Sequence, residues 1–537
     1  MKRLFTTFCL IVIAMITVSL CFAASVAPVE KPVPEVQPER YPALDAKEVG
    51  ALRWFVKLAR QAPGDWSGMG GLEPGQEWLE AYRYQLAFMT YFLALEQYHK
   101  TPAYRELATS TMDLLIQKMM RKDVWHYWAE SSKGSKKFNP ALQDYGPGWV
   151  DPVREKNIMY SGHVMHMVGL YEMLSRDFKY DQPGALTFVW DVSGDVRGKY
   201  EYDHTSLVER AYRQITENAC HSIECEMNLV FPECNQHPML AIMLHDALHG
   251  TTWAPAARKD LENTFKEKGF IDPKTHRAMA FYMVEQGMVI PSAAADADGW
   301  TGVMMNSWEP TSVATHYPYQ REAALEWLPD GTAHAKASMF GMLGEGFFAM
   351  LAKEVGDEST AQALLEWADK NLNPVEKDGY FYYPRDDARK VSPLTGILIA
   401  CARANLKDGV SAMHNQPWGE SHFNDPYVAD VPYPRAIVTR AVWDTSEQAL
   451  VLTLVPGETG GVPVEFSIKQ LDPTAEYIVT RNGARLGVIS RGSVQQSEEG
   501  AGVARMTWTS SGVHITTGLA SQETFVVAVS KDPSGKH

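Results

Sequence analysis

The chain has 537 residues, of which 45% are hydrophobic, and its formal net charge is −15 at neutral pH. This length is ample for a large core and a second domain, and the composition is typical of a globular protein. The acidic balance, without any block of Lys or Arg, argues against nucleic acid and anionic membrane surfaces as partners.

The first 23 residues have the pattern of a secretory signal peptide. Lys2 and Arg3 form a positively charged start, an apolar run follows to Phe22, and the small residues Ala23 and Ala24 offer a cleavage site. We therefore expect export to the periplasm. A membrane contact is expected only if this segment stays uncleaved.

Residues 24–45 contain five prolines and are predicted to form an extended lead-in. From 46 to 408, apolar residues recur at spacings of three and four, which predicts about ten to twelve helices. Long polar connections separate these helices and no fixed repeat is present, so the pattern favours an (α/α) barrel over a solenoid. Residues 409–432 are polar and irregular, and we interpret them as a linker.

The apolar pattern changes its period to two in the last part of the chain, over residues 433–532. Six segments alternate in this way, and Asn482-Gly483 is a strong hairpin signal. The pattern predicts a C-terminal β-sandwich. This segment contains no cysteine and no cluster of histidines and acids, which indicates an accessory role.

The segment ECEMNLVFPECN, residues 224–235, raises the main chemical question. Its two cysteines, Cys225 and Cys234, are nine residues apart and lie beside acidic residues. In an exported protein a disulfide is the default interpretation, and buried apolar cysteines or catalytic thiols are the alternatives. A zinc site would need a shorter spacing or a second cysteine pair, so we expect no metal here.

Three other segments offer partners for catalytic thiols. NIMYSGH places Met159 and His163 four residues apart, on one face if a helix begins there. RYQLAF places Tyr84 on an early helix, and APGDWSGMGG places Asp65 in a Gly-rich loop. Each also has an ordinary interpretation, because tyrosines and histidines pack in cores and an aspartate commonly caps a turn.

The segment AAADADGWTG suggests a different chemistry. Asp296 and Asp298, beside Trp300, have the composition of a carboxylate pair flanking a sugar, or of a solvated loop. The first interpretation makes the protein a glycan-active hydrolase or lyase. A non-catalytic periplasmic binding or scaffold protein is a further alternative.

Read together, NIMYSGH, CEMNLVFPECN, DALHGT and FIDP resemble the linalool dehydratase/isomerase family in order and spacing. The likeness covers residues 50–407, and the cysteine motif matches as C-E-x4-F-x2-C-N. It implies an (α/α)6 barrel, a periplasmic location, and a ring-like homo-oligomer with active sites between protomers. It also implies catalysis without a metal or organic cofactor, in which a small tertiary allylic alcohol is dehydrated to a diene or isomerised to its primary partner.

The resemblance carries over to individual residues. Those matched to the chemistry are Asp65, Tyr84, His163, Cys225 and Cys234, and those matched to substrate contacts are Met159, Phe231 and Trp300. On this basis we assign proton transfer to the aspartate and the histidine, and orientation of the hydroxyl to the tyrosine. The cysteines would protonate the hydroxyl or bond transiently to the allylic carbon.

Three departures from the family concern the substrate more than the fold. The loop after Asp65 is shorter here, and the family's next tyrosine falls on Gly71 or has no counterpart. A second pocket tyrosine falls near Asp296, and a carboxylate at that wall disfavours a purely hydrocarbon ligand. The C-terminal sandwich is an addition.

Overall fold

In the computed structural model, the residues described are 35–70, 81–137, 139–336, 341–458, 461–497, 500 and 502–530. The expected signal peptide, the first part of the lead-in, Gly71 and the last residues of the predicted sandwich lie outside these ranges. No helix within them has the length and apolarity that a membrane span requires.

The chain up to residue 408 is mainly helical, as the spacing of its apolar residues predicts. Twelve of the helices in this described region have eleven residues or more. In chain order the α-helices are α1 (Ala46–Ala59), α2 (Tyr82–His99), α3 (Glu106–Met119), α4 (Lys122–Trp125), α5 (Trp128–Ser131), α6 (Ile158–Ser175), α7 (His204–Glu217), α8 (Gln236–His249), α9 (Ala254–Lys268), α10 (Ala295–Met305), α11 (Pro310–Ala324), α12 (Leu343–Glu354), α13 (Glu358–Asn371), α14 (Pro393–Ala404) and α15 (Gly409–Asn415). Short 3-10 helices span Pro38–Arg40, Lys179–Asp181 and Glu420–Asn424.

Short antiparallel strands lie in the connections between helices, where the apolar pattern did not indicate them. They pair as β1 with β2, as a β3–β4–β5 sheet, as β6 with β7 and as β8 with β9. Their bounds are β1 (Leu186–Val192), β2 (Asp195–Tyr202), β3 (Leu229–Val230), β4 (Met279–Met283), β5 (Met288–Pro291), β6 (Leu325–Trp327), β7 (Ala333–Ala335), β8 (Val375–Lys377) and β9 (Tyr380–Tyr382).

Six of the long helices contact one another in a closed cycle. In order, α2 packs on α6, α6 on α8, α8 on α10, α10 on α12, α12 on α14, and α14 on α2. The other long helices pack against this cycle from further out, for example α7 against α6 and α8. Every residue of α6 except its last is buried, whereas α7 buries only one stripe. Helices that pack on all sides need apolar residues on all sides, which explains this contrast.

Glycine lets two helices of the cycle approach closely. Gly299 of α10 faces the backbone of α12, and a Cβ at that position would lie 2.6 Å from the carbonyl carbon of Phe347. Only a residue without a side chain fits such a contact. This packing fixes the helix that carries Asp296 and Trp300.

The C-terminal part is a sandwich of two antiparallel sheets, with strand orders β10-β13-β18-β17 and β11-β12-β19-β14-β15-β16. Phe466 and Phe525 pack edge to face between the sheets, with ring centroids 5.3 Å apart. Asn482 and Gly483 both have positive φ and join β14 to β15, as their sequence predicts. The strands are β10 (Tyr427–Ala429), β11 (Ala436–Asp444), β12 (Ala449–Pro456), β13 (Val462–Lys469), β14 (Glu476–Arg481), β15 (Ala484–Ser490), β16 (Ser493–Gln496), β17 (Ala504–Thr509), β18 (Gly512–Leu519) and β19 (Glu523–Val529).

The sandwich is docked directly onto the helical part. The Ala103 amide donates to the Ala441 carbonyl at 2.8 Å, and the Ala441 amide donates to the Lys100 carbonyl at 3.0 Å. The Leu44 amide also donates to the Thr439 carbonyl at 2.8 Å. One hydrophobic cluster runs through both parts, so they form a continuous core.

The interpretation of residues 409–432 as an irregular linker is wrong. Residues 409–415 form α15, which buries His414 beside the helical core, and residues 427–429 form a strand of the sandwich. The buried Glu354 carboxylate accepts the amides of Val410 and Ser411 at 2.9 and 3.0 Å. The polar residues that suggested a linker are therefore partly a buried hydrogen-bond network.

Candidate active site

A cavity of about 750 Å³ opens between α2, α6, α10 and the cysteine segment. Its size and its apolar and aromatic walls are typical of a small-molecule site. Six of the eight predicted site residues line it, namely Tyr84, Met159, Cys225, Phe231, Cys234 and Trp300.

The segment 223–235 folds into a clamp that brings its cysteines together. The Asn235 amide side chain accepts from the Ile223 amide at 2.8 Å and donates to the Ile223 carbonyl at 3.0 Å. Between these ends, the Cys225 amide donates to the Leu229 carbonyl at 2.8 Å. The asparagine that ends the motif thus closes the loop and places both sulfurs at the cavity.

Cys225 and Cys234 are free, buried thiols. The two thiols lie near each other, and each influences the pKa of the other. Burial raises the pKa of the Cys225 thiol well above its ordinary value, and burial also raises the pKa of Cys234. Both thiols therefore hold their protons at neutral pH and are better suited to donating hydrogen bonds or protons than to attacking as thiolates.

The start of α6 sets the position of Met159 and His163. Lys156 and Asn157 have φ of 55° and 51°, so the chain turns tightly into the helix. The Tyr127 hydroxyl donates to the Asn157 side chain at 2.6 Å and fixes this turn. One helical turn then separates the methionine at the cavity from the histidine behind it.

Arg83 is a buried cation directly behind the cavity wall. It donates to the Met159 sulfur at 3.5 Å, and its guanidinium carbon lies 4.5 Å from the centroid of the Tyr84 ring. It lies on the other side against the Tyr127 ring at 4.4 Å. These contacts fix the side chains that face the ligand space.

Glu233 is a cavity residue that our sequence analysis did not select. It is buried, and its Oε2 atom has no hydrogen-bond partner among the described residues. Burial raises the pKa of Glu233 to about 8, helped by the nearby Asp296 and Glu226. The carboxyl group therefore holds a proton at neutral pH, as a general acid requires. The sequence feature that could have identified Glu233 is its place as an acidic residue next to Cys234, inside the motif whose cysteines face the cavity.

His163 lies just behind the cavity wall and does not line it. Its ring packs against Tyr84 and Trp300, with centroids 5.4 and 5.9 Å away. The Tyr91 hydroxyl lies 2.7 Å from its Nδ1 atom. Its Nε2 atom is buried and has no hydrogen-bond partner in the part of the chain that the structure describes.

A chain of histidines from three distant segments continues behind His163. His414 Nδ1 lies 2.8 Å from the Val410 carbonyl and must donate to it, so its Nε2 accepts from His166 Nε2 at 2.8 Å. The Trp300 indole donates to His237 Nε2 at 2.8 Å, so His237 Nδ1 donates to His166 Nδ1 at 3.1 Å. Every link is satisfied with neutral rings.

This network fixes the tautomer of His163. Because His237 Nδ1 already carries a proton, the Tyr91 hydroxyl, 3.3 Å away, has His163 Nδ1 as its acceptor. The remaining proton of His163 then resides on Nε2, the atom without a partner. Burial lowers the pKa of His163 and His237 well below the ordinary value, which keeps both rings neutral.

We expect Tyr91→Phe to lower kcat by about tenfold or more, because His163 loses the hydrogen bond that selects its tautomer. Stability should fall by only about 1 kcal/mol, the usual value of one hydrogen bond. Tyr160→Phe is the matched control, since this buried hydroxyl donates to the Met119 carbonyl at 2.7 Å and lies outside the cavity. Equal kcat in the wild type and the Tyr91 variant would rule out the positioning role.

Asp65 lies on an exposed turn and is not part of the cavity lining. Its carboxylate accepts the Ser67 amide at 3.0 Å, which lowers the pKa of Asp65. The neighbouring Trp66 ring stacks on Tyr82 with centroids 4.3 Å apart and holds the loop against α2. Within one chain Asp65 is thus apart from the other candidates, and its catalytic role stays a prediction.

The structure separates Asp296 from Asp298. Both lie on α10 and are buried, so neither belongs to a solvated loop. Asp296 lines the cavity, whereas Asp298 forms a buried ion pair with Arg277 and accepts the Ala278 amide at 2.8 Å. This pair of carboxylates does not face one ligand, which removes the basis for the glycosidase pairing.

We expect Asp298→Asn to destabilise the protein by about 3–5 kcal/mol, because Arg277 would keep a buried charge without its counter-ion. Equilibrium unfolding in urea measures this change. Glu209→Gln, in the exposed pair with Arg213, should change stability by less than about 1 kcal/mol. A similarly small effect at Asp298 would contradict a structural role for this ion pair.

A family model described as linalool dehydratase/isomerase matches residues 83–389. The matched span is more than half of the chain and contains every cavity residue named above. The chain belongs to the linalool dehydratase/isomerase family. This confirms the resemblance that the NIMYSGH and cysteine motifs indicated. Asp65 and the C-terminal sandwich lie outside the matched span.

Solved structures similar to this chain include a mannanase, a glucuronyl hydrolase and an alpha-amylase. An inactive variant of an alpha-1,6-mannanase from Salegentibacter sp. HEL1_6 has a TM-score of 0.42 and 10% identity, covering 67% of this chain and 99% of that chain. An unsaturated glucuronyl hydrolase specific for heparin has a TM-score of 0.41 and 9% identity, covering 69% and 97%. An alpha-amylase from Clostridium perfringens has a TM-score of 0.41 and 10% identity, covering 67% and 98%. Likeness at this level assigns no substrate.

Proposed function

We propose that the protein is a dehydratase/isomerase acting on a small tertiary allylic alcohol. The observation that carries this proposal is a cavity with several aromatic walls in which a protonated carboxyl group, Glu233, adjoins two protonated thiols, Cys225 and Cys234. Family membership supports the same class of reaction. We also propose that the closed cycle of six helices is the inner ring of an (α/α)6 barrel.

In the first step the leaving hydroxyl must become water. Glu233 donates its proton to the hydroxyl oxygen, and the carbon–oxygen bond breaks with its electron pair leaving on water. Cys225 and Cys234 donate hydrogen bonds to the same oxygen, and Tyr84, whose ring packs against His163 behind the wall, orients it. A carboxyl group with a pKa of about 8 is well matched to this task near neutral pH.

The allylic cation formed in this step needs protection from bulk water. The aromatic faces of Tyr84, Phe231 and Trp300 stabilise positive charge, and the Met159 sulfur adds a polarisable contact. Carboxylates near the cavity also favour a cation. In isomerisation, water adds to the other end of the allylic system and returns a proton to the Glu233 carboxylate, which gives the primary alcohol and restores the acid.

Diene formation requires a base that removes a proton from a neighbouring carbon. Within one chain, Asp296 is a carboxyl at the cavity wall that can accept this proton. The resemblance gives Asp65 a part in proton transfer, and Asp65 would reach the cavity only from a second copy of the chain. The overall balance is alcohol to diene plus water.

The residues of the cavity wall also restrict the chemical class of the substrate. Glu226, Glu233 and Asp296 line the same cavity as the aromatic residues. A fully hydrocarbon chain would displace water from these carboxyl groups without offering a hydrogen bond in return. We therefore propose a tertiary allylic alcohol that carries a second polar group, with simple terpenoid alcohols as weaker substrates.

Headspace gas chromatography tests the proposal. Reduced protein is incubated with linalool, 2-methyl-3-buten-2-ol and allylic diols, and the diene and the primary alcohol are measured. Formation of either product by the wild type, and its loss in Glu233→Gln, supports the proposal. Binding without turnover across the whole panel would instead favour the non-catalytic alternative.

A glycan-active enzyme is the rival that the four cavity carboxyls, Glu130, Glu226, Glu233 and Asp296, favour. It predicts release of reducing or unsaturated sugars that is lost in Asp296→Asn. The same activity should survive in Cys225→Ala, since that mechanism has no need of thiols. Sugar release with that pattern, and no diene, would overturn the dehydratase proposal.

Two further parts of the proposal concern location and assembly. The signal-like first 23 residues support a periplasmic enzyme. The exposed position of Asp65 supports a homo-oligomer in which one protomer completes the active site of the next. Light scattering of the mature protein, and loss of activity on dilution to monomers, test this assembly.

A further inference from the structure

Four potential metal ligands meet far from the cavity, at the other end of α6. They are Glu172 on α6, Asp181 at the end of a 3-10 helix, His204 at the start of α7 and His249 at the end of α8. One ligand atom from each lies within 4.8 Å of all the others. Glu172 follows His163 by nine residues, which is about 13.5 Å along the helix, so this cluster is separate from the proposed active site.

The spacing of the ligand atoms suits a tetrahedral ion. His204 Nδ1 lies 2.7 Å from Glu172 Oε2 and 4.0 Å from Asp181 Oδ1. His249 Nε2 lies 3.3 Å from the same Glu172 oxygen, and His249 Nδ1 lies 3.6 Å from Asp181 Oδ2. A zinc ion with ligands at about 2.0–2.1 Å places neighbouring ligand atoms about 3.3–3.4 Å apart. One atom from each of the four residues already lies within 4.8 Å of the others, so small side-chain shifts bring them to that spacing.

The cluster also contains two carboxylate oxygens that accept no hydrogen bond from any residue that the structure describes. Glu172 Oε1 and Asp181 Oδ1 are buried and have no hydrogen-bond partner within the described ranges. The Glu172 side chain is 0% exposed. A buried carboxylate oxygen without a donor is costly, and a cation between these side chains removes that cost.

A backbone contact prepares His204 for coordination. Its Nε2 lies 3.2 Å from the Met165 carbonyl, which can only accept, so Nε2 carries the proton. Metal-bound histidines usually hold their second nitrogen in this way. At 2.7 Å from Glu172 Oε2, the Nδ1 atom donates a hydrogen bond to that carboxylate, and metal binding would displace this proton and free the lone pair.

We propose that Glu172, Asp181, His204 and His249 bind one divalent transition-metal ion, for which zinc is the best match. Two carboxylates and two neutral imidazoles balance its charge, and imidazole nitrogen suits zinc better than it suits calcium or magnesium. The ion would join the ends of α6, α7 and α8. Helix α6 carries His163 near its start and α8 carries His237 near its start, whereas the ligands lie near the ends of these helices. The site would therefore stabilise the two helices that stand behind the cavity wall.

Metal content and cobalt spectroscopy test this site in the full mature chain. Wild-type protein, stripped with a chelator and reloaded with zinc, should contain close to one ion per chain and unfold several degrees higher than the stripped form. Cobalt in place of zinc should give the visible absorption bands of a tetrahedral site. Glu172→Gln, and the more conservative His249→Asn, should lose the metal, the cobalt bands and the thermal shift.

His245→Gln is the matched control. This histidine packs against His249 with ring centroids 4.4 Å apart, but its nitrogens bond to Thr205 and Thr251. It should keep the ion. Absence of bound zinc in the reloaded wild-type protein would overturn the proposal and leave the cluster as a buried ion pair. Equal zinc content in the wild type and in His249→Asn would also overturn it. None of these readouts depends on the proposed alcohol chemistry.

Discussion

Replacing Glu233 with glutamine is expected to lower kcat for diene formation by about 10²–10⁴-fold, the usual contribution of a general acid. The amide keeps the shape of the carboxyl group but has no acidic proton. Because burial raises the pKa of Glu233 to about 8, wild-type kcat should fall as the pH rises above that value. The pH profile of kcat measures both effects, and the residual activity of the variant should lack this alkaline decline.

Stability separates this loss from unfolding. The unfolded carboxyl group ionises near its ordinary pKa of 4.5, whereas the folded one holds its proton to about 8. Wild-type stability should therefore fall as the pH rises between these values, and Glu233→Gln should not show that fall. Glu224→Gln is the control, since this neighbour pairs with Lys156 at 2.7 Å and does not line the cavity. Unchanged kcat and an unchanged pH profile in the Glu233 variant would exclude it as the acid.

Cys225→Ala and Cys234→Ala are each expected to lower kcat by about 100-fold or more, since removing a positioned donor to a developing charge has that scale. Their buried thiols face the cavity and hold their protons. Cys401→Ala is the control, because that thiol donates to the Phe88 carbonyl at 3.2 Å outside the cavity. Steady-state kinetics on reduced protein compares all three. Turnover at the wild-type level in either cavity variant would refute the assignment.

Oxidation offers a second test of the same pair. The two thiols lie near each other at the cavity, so a mild thiol oxidant should join them. Joining consumes both S–H donors, and activity should be lost and then restored by dithiothreitol. The disulfide interpretation from the sequence thus becomes a possible inactive state. An oxidised enzyme with full activity would show that the thiols are not required.

The parts of the structure that the sequence predicted depend on local patterns. Apolar residues spaced by three and four predicted the helices, and apolar residues at every second position predicted the sandwich. Both predictions were possible because each burial pattern is contained within a few residues. The clamp around Cys225 and Cys234 spans thirteen residues, so its motif could be read directly. The same is true of Met159 and His163, one turn apart.

The parts that the sequence missed depend on contacts between distant segments. His166, His237 and His414 are ordinary residues in three separate helices, and only the fold joins them into a chain behind His163. Glu233 became an acid of interest only through its burial. Asp298 looked like a partner of Asp296 until the structure paired it with Arg277. Tertiary contacts fix each of these states, and no local spacing encodes them.

Isotope exchange tests the central claim, that this cavity breaks the carbon–oxygen bond of a tertiary allylic alcohol. The enzyme is incubated with the alcohol in water labelled with heavy oxygen, and the recovered alcohols are analysed by mass spectrometry. We predict label in both the tertiary and the primary alcohol with the wild type, and exchange about 10²–10⁴-fold slower with Glu233→Gln. Exchange of label at the wild-type rate in the Glu233 variant would contradict the account, even if diene or primary alcohol is formed. Complete absence of exchange in reduced, folded wild-type protein would also contradict it.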